Sequence, residues 1–234
     1  MKRYLTAAAI MIGASQLHAG DILVKRNDKI AFLGDSITHA GAKPDGYVSL
    51  VVSGLKSAGV KATAIPAGVS GHKSDQMLAR LEKDVLSKKP DWMTLSCGVN
   101  DVSHGMRGYD IRKYKKNITE IVEKCQAANI KVMIVTSTMV NEDQAHPLNQ
   151  RLVAYNDILI KLAKKKNLPL ADLNAEMQAA INASEDKKGG KLLTRDGVHM
   201  NPDGNKMMAI GVLKAFGLDE RQIEKAQRSW DKKK

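Results

Sequence analysis

The sequence predicts an α/β protein: a three-layer α/β/α sandwich built on a parallel five-stranded sheet. Three observations carry this. Short apolar runs alternate with longer stretches whose apolar positions recur every three or four residues, the pattern of strands separated by single helices. Such crossovers are right-handed and leave the strands parallel, covered on both faces. No repeat, heptad pattern or composition break divides the 234 residues, so one large domain is expected.

The elements follow in order. Residues 29–33 (KIAFL) form a short apolar strand that Gly34-Asp35-Ser36 interrupts, and Ile37-Thr38 leads toward a helix after a Gly- and Pro-containing loop. Residues 46–58 place Val48, Val51, Val52 and Leu55 on one helical face, and Gly59 stops them. A strand over 60–65 precedes the loop PAGVSGHKS. From Ser74 a helix carries Met77, Leu78, Leu81, Val85 and Leu86 until Pro90 closes it. Residues 91–97 (DWMTLSC) are the third strand and end in Gly98-Val99-Asn100-Asp101. A long helix over 110–128 shows the inner stripe Ile111, Tyr114, Ile118, Ile121, Val122 and Cys125. Residues 130–136 are the most apolar strand, 147–166 a helix, and 168–173 a fifth strand. A helix over 175–183 leads into a charged glycine linker at 184–190. The last helix starts at the N-cap Asn201, with Pro202 at its first position, and runs to Phe216 before Gly217. A flavodoxin-like strand order suits five such strands.

The first nineteen residues read as a signal peptide: Lys2 and Arg3, an uncharged apolar stretch over 5–14, and Leu17-His18-Ala19 as a small-residue cleavage site. The apolar stretch is too short to span a bilayer, so export to the periplasm or medium is expected, without stable membrane insertion. The domain then covers 20–220 and a basic tail covers 221–234. The formal charge of +12 would suit an anionic partner, but the lysines are dispersed over helical segments and the tail. With no zinc-finger spacing and no basic stretch interleaved with aromatics, a solvated basic surface is expected and nucleic acid is not. Two cysteines do not make a disulfide scaffold; an exported protein allows one bridge, but Cys97 and Cys125, in a strand and a helix, read rather as buried free thiols.

Four stretches bear chemistry. GDSITHAG with Ser36, AGVSGHKS and GVND with Asn100 each follow a predicted strand, so parallel topology gathers them at one sheet edge. The fourth, Asp196-Gly197-Val198-His199, precedes the final helix. A serine beside a glycine is by itself an ordinary turn residue. In this order and spacing, over about residues 28–217, the four motifs resemble the SGNH (GDSL-type) hydrolases. Pro66 departs from that pattern, standing where the family often has an asparagine five residues ahead of the second motif's glycine.

The resemblance implies the SGNH hydrolase fold and the hydrolysis of carboxylic esters by a serine esterase without cofactor or metal. Ser36 would be the nucleophile, because a hydroxyl attacks only when a base takes its proton. His199 would be that base, and Asp196 would fix its tautomer and steady the imidazolium. The implied oxyanion hole consists of the N–H groups of Ser36 and Gly71 and the side-chain amide of Asn100, with Gly68 as the rival to Gly71. Asp35 and Asp101 read as structural, holding loops through backbone hydrogen bonds. His39, His72 and His104 lie in loops near the site but lack metal-ligand spacing. The loops near the site are polar and no long apolar lid is visible, which favours a short acyl group. Exported single-domain members of the family often remove O-acetyl groups from carbohydrates, so a glycan or small-molecule ester is the expected partner. Lipase, lysophospholipase or thioesterase action on longer chains is the alternative within the chemistry, and a non-catalytic carbohydrate-binding module the alternative outside it.

Overall fold

The computed structural model describes residues 21–104, 108–184 and 191–231. The expected signal peptide, most of the glycine linker and the last three lysines lie outside the described residues.

The first strand, β1 (Lys29–Gly34), passes directly into α1 (Ser36–Gly41) and then α2 (Tyr47–Ser57). The helix expected only after a loop begins at once, because the Asp35 carboxylate accepts the Ile37 N–H at 2.9 Å and caps the turn. β2 (Thr63–Gly68) lies three residues later than the apolar pattern suggested and contains Pro66, tolerated because β2 is an edge strand. The expected single helix before Pro90 is broken into α3 (Ser74–Ala79), α4 (Leu81–Asp84) and a 3₁₀ turn (Leu86–Lys88). The break falls at Arg80, which leaves the helical region (φ −101°, ψ 2°) and turns its guanidinium under the strand ends.

β3 (Trp92–Ser96) falls where the pattern put it, and the residues expected to close that strand in a loop form the one-turn helix α5 (Val99–Val102). α6 (Ile111–Ala127), β4 (Lys131–Val135) and α7 (Pro147–Lys166) also fall where the pattern put them. Ile111, expected on the inner stripe of α6, is exposed because it is the first residue of that helix, ahead of its buried stripe. β5 shrinks to Leu170–Ala171, since the Asp172 carboxylate accepts the Ala175 N–H at 3.2 Å and starts α8 (Leu173–Ala183) early. After α9 (Pro202–Ala215), the described part of the expected basic tail is helical and belongs to α10 (Glu220–Asp231). Ile223, Ala226 and Trp230 are buried from α10 at helical spacing. Gly54 of α2 lets α9 and α10 come close, for a Cβ there would meet Leu213 Cδ1 at 2.5 Å and Ala226 Cβ at 3.3 Å.

All five strands are parallel in the order β2-β1-β3-β4-β5. Side chains alternate across the sheet with period two. Ile30, Phe32, Trp92, Met133 and Val135 enter a core with α2, α8, α9 and α10. Ala31, Leu33, Met93, Leu95, Val132 and Ile134 enter a second with α3, α6 and α7. Met77, Met93, Met133, Met177 and Met208 are essentially buried, so methionine does fill core volume in this aromatic-poor chain. From β1 the chain crosses one way to β2, then back past β1 to β3. The strand order therefore reverses between β1 and β3, and the carboxyl ends of these two strands are where open α/β sheets bind their ligands.

Candidate active site

Ser36 stands at that reversal of strand order as the first residue of α1, just past β1, where a helix N–H has no partner within the helix. Its Oγ lies 2.8 Å from His199 Nε2 although the two are 163 residues apart in sequence. His199 Nδ1 lies 2.7 Å from Asp196 Oδ2. An ionised carboxylate only accepts, so Nδ1 carries the proton and Nε2 presents its lone pair to the serine hydroxyl. Asp196 Oδ1 also accepts the N–H groups of Val198 (3.0 Å) and His199 (2.8 Å). Partial desolvation pushes the Asp196 carboxyl up, but the hydrogen bonds from His199 and Val198 outweigh it and hold the group far below the usual carboxylate range. Ser36, His199 and Asp196 are thus brought into one hydrogen-bonded chain.

The second and third motifs meet beside it. Val69 O accepts the His72 N–H at 3.3 Å, closing a turn in which Gly71 adopts φ +77°. A Cβ on Gly71 would touch nothing within 4 Å, and its N–H meets no acceptor among the described residues. Gly68 serves another purpose: a Cβ there would strike the backbone of α1, at 2.3 Å from His39 N. The open, unengaged glycine is Gly71. Asn100, in α5, donates from Nδ2 to His72 O at 3.1 Å, so its amide is oriented toward the Gly71 turn.

Two buried carboxylates hold this frame. Asp101 accepts the Ser74 N–H (3.1 Å), the Ser74 hydroxyl (2.7 Å) and the Cys97 thiol (3.4 Å), tying the loop after β3 to the start of α3. Burial raises the Asp101 pKa, and the bonds from Ser74 oppose that rise. Cys97 and Cys125 are free and buried. Burial likewise pushes the Asp35 carboxyl up to about 6, against the Ile37 hydrogen bond and the charge of His199.

Asp35 yields a stability prediction. With a folded pKa of about 6 against an ordinary carboxyl value of 3.8, the folded state holds the extra proton between those values, and stability falls as pH rises through that window. At pH 8 the buried charge costs on the order of 3 kcal/mol. Asp35→Asn keeps an oxygen for the Ile37 N–H and should raise the melting temperature by roughly 5–10 °C at pH 8. The gain should vanish near pH 4; thermal unfolding at the two pH values checks it, and an equal gain at both would refute the assignment.

Sequence reasoning missed two site residues. Arg80 donates to Gly34 O (2.8 Å), Ala67 O (2.8 Å) and His72 Nδ1 (3.1 Å), and pairs with Asp84 at 2.9 Å. It joins the ends of β1 and β2 to the Gly71 turn, and desolvation followed by the Arg80 charge lowers the His72 pKa. Glu142 is the other; it binds the loop ahead of Asp196. Arg80 looked like any polar position beside an apolar stripe, and Glu142 like a solvated loop acid. His39, expected in a loop, lies in α1, exposed, 3.4 Å from Gly68 O. His104 packs edge-on to Tyr109. No group of three His, Cys, Asp or Glu side chains among the described residues is arranged to hold a metal ion. No helix among them is long and apolar enough to cross a membrane.

The chain is similar to known proteins. The model of the GDSL-like Lipase/Acylhydrolase family matches residues 32–207. An acetylxylan esterase of Geobacillus stearothermophilus is 26% identical over 217 residues, spanning 82% of this chain and 95% of its own. Thioesterase 1/protease 1/lysophospholipase L1 of Escherichia coli is 26% identical over 185 residues, spanning 78% and 80%. The crystal structure of the acetyl xylan esterase AlAXEase has 36% sequence identity and a TM-score of 0.73, covering 80% of this chain and 98% of its own. The Geobacillus stearothermophilus acetylxylan esterase Axe2 superposes with a TM-score of 0.74 at 23% identity, covering 83% and 96%, a likeness of fold.

Proposed function

Since the chain belongs to the GDSL-like Lipase/Acylhydrolase family and is a carboxylic ester hydrolase, we propose that Ser36, His199 and Asp196 are its catalytic triad and that it removes O-acetyl groups from carbohydrates. The observation that carries the triad is the unbroken chain from Ser36 Oγ through His199 to Asp196, at 2.8 and 2.7 Å.

In this reading His199 Nε2 takes the hydroxyl proton as Ser36 Oγ bonds to the acyl carbon, and the carbonyl π electrons move onto oxygen. The N–H groups of Ser36 and Gly71 and the Asn100 amide receive that oxyanion; such donors act best where charge appears only in the transition state. Collapse breaks the bond to the sugar oxygen, which leaves with the proton from His199. Water then attacks the acyl-enzyme, His199 takes its proton, and acetate leaves as Ser36 recovers the proton. Asp196 keeps the proton on Nδ1 throughout.

The acetyl preference is supported by the names of the similar esterases and by the polar loops around Ser36. Export is supported by the basic start and apolar stretch of the first nineteen residues. The likeness to the Escherichia coli thioesterase and lysophospholipase favours a second reading, longer acyl chains. A series of p-nitrophenyl esters from acetate to palmitate, with acetylated xylo-oligosaccharides alongside, separates the two. Acetate should give the highest kcat/KM and the oligosaccharides should release acetate; a maximum at long chains would refute the acetyl assignment. A serine-directed phosphonate should label Ser36, found by peptide mass spectrometry, and labelling elsewhere would overturn the triad.

A further inference from the structure

We propose that Glu142, in the loop between β4 and α7, is a positioning residue that sets the turnover rate by fixing the segment carrying Asp196 and His199. The inference rests on the triad reading above.

Glu142 is a carboxylate only 8% exposed, and among the described residues no lysine or arginine pairs with it. An uncompensated buried charge is costly, so its acceptors must be satisfied by donors. Oε2 accepts the Leu192 N–H at 2.6 Å, and Oε1 accepts the N–H groups of Leu193 (2.9 Å) and Thr194 (2.6 Å) and the Thr194 hydroxyl (2.5 Å). Three successive backbone N–H groups converging on one anion form a nest, here filled by the protein's own side chain. The four hydrogen-bond partners of the carboxylate among the described residues are all donors. A glutamine would turn its NH₂ toward one of them, so the site asks for charge rather than shape.

The constraint passes on to the site. Thr194 Oγ1, donating to Glu142, accepts the Gly197 N–H at 3.1 Å, and Arg195 N–H donates to His199 O at 2.8 Å. Thr194 and Met200 form an antiparallel bridge around the Asp196–His199 turn. At the other end, Glu142's own loop is clamped from α7. Asn149 accepts the Val140 N–H (2.8 Å) and donates to Asn141 O (2.6 Å) and Asp143 O (2.8 Å). A continuous path therefore runs from a 20-residue helix to the imidazole that meets Ser36.

Such a role predicts loss in kcat rather than in KM, because the groups that bind the acyl and alcohol parts are untouched. Misplacing a catalytic group by about 1 Å costs on the order of 100-fold. Glu142→Gln should lower kcat for an acetyl ester roughly 10- to 100-fold with KM within about threefold, kcat being referred to molecules that a serine-directed phosphonate titrates to completion. In Glu142→Ala the nest is vacated, and formate, but not formamide, should restore part of kcat. The downfield proton resonance of His199 Nδ1–H should broaden or shift in both. Should Glu142→Gln not fold, Thr194→Val, which keeps the charge but removes the link to Gly197, should show a smaller loss of the same kind. A folded Glu142→Gln with wild-type kcat and an unchanged His199 resonance would overturn the proposal. An active Ser36→Ala would instead overturn the triad reading beneath it.

Discussion

Ser36→Ala and His199→Ala should each lower kcat on an acetyl ester by about 10⁵- to 10⁶-fold, and the double variant should be no slower than either. The reason lies in the 2.8 Å contact between Ser36 Oγ and His199 Nε2. A serine hydroxyl without a base is a weak nucleophile, and a base without a hydroxyl has no acyl-enzyme to form. Removing one partner therefore removes what the other contributes, and the losses do not add. What remains should be the rate that the oxyanion donors and substrate binding still give, roughly 10³- to 10⁴-fold over water. Acetate release from an acetylated oligosaccharide measures this better than an activated phenyl ester, whose spontaneous hydrolysis hides small rates. Melting temperatures should stay close to wild type, since Ser36 is half-buried and makes few other bonds. A double variant slower than both singles by the product of their losses would mean that the two residues act separately, and the triad would fall.

The motif-bearing segments were legible because short turn and cap residues mark them in the sequence, although the cap at Asp35 starts α1 sooner than expected. Asp35 caps α1 within two residues, and Asn201 caps α9 within three. Long helices were legible for the same reason: α6 and α7 bury one stripe each, and their limits fall within a residue of the apolar pattern. What escaped was information carried across the chain. Arg80 breaks a helix to reach the carbonyls of Gly34 and Ala67, 46 and 13 residues away. Glu142 finds its donors 50 to 52 residues on. No local pattern announces either, because a cation at the edge of a stripe and an acid in a polar loop look solvated until the fold buries them. Helix α10 was missed for a related reason: its burial rests on Ile223, Ala226 and Trp230 amid charges, and the partner surface exists only once α2 and α9 have packed.

The same cross-chain wiring explains a shared design in the carboxylates. Asp35, Asp101 and Glu142 are all buried, and each accepts hydrogen bonds from a segment next to a site residue: Ile37 in α1, Ser74 at the start of α3, and Leu192 to Thr194. Three main-chain N–H groups on Glu142, and one main-chain N–H, a hydroxyl and a thiol on Asp101, make charge-assisted bonds stronger than neutral side chains would give. Asp196 differs. It is half exposed, and its bonds go to the turn that it begins and to the imidazole itself.

Asp196→Asn should therefore lower kcat by about 10⁴-fold while changing the structure little. The asparagine Oδ1 can still accept the N–H groups of Val198 and His199, so the turn that Asp196 builds persists. At the other end of the side chain an NH₂ now faces His199 Nδ1, where the carboxylate oxygen stood at 2.7 Å. A donor there makes Nδ1 the acceptor and moves the ring proton to Nε2, so that Ser36 Oγ meets an N–H instead of a lone pair. Asp196→Ala should be slow as well, but it also strips both backbone bonds from the turn and should melt at a lower temperature. The pair of variants separates orientation of the imidazole from construction of the loop. The sign of the Asp196 pKa shift adds a pH criterion: a depressed folded-state value keeps the carboxylate charged through the neutral and mildly acidic range, and its contribution is lost only as pH falls through that low value. Protonation of Asp196 thus cannot account for any loss of wild-type rate between pH 7 and 5, and the wild-type excess over Asp196→Asn should persist at pH 7. An Asp196→Asn enzyme within tenfold of wild type at pH 7, with His199 still bonded to Ser36, would show that the carboxylate serves the loop alone.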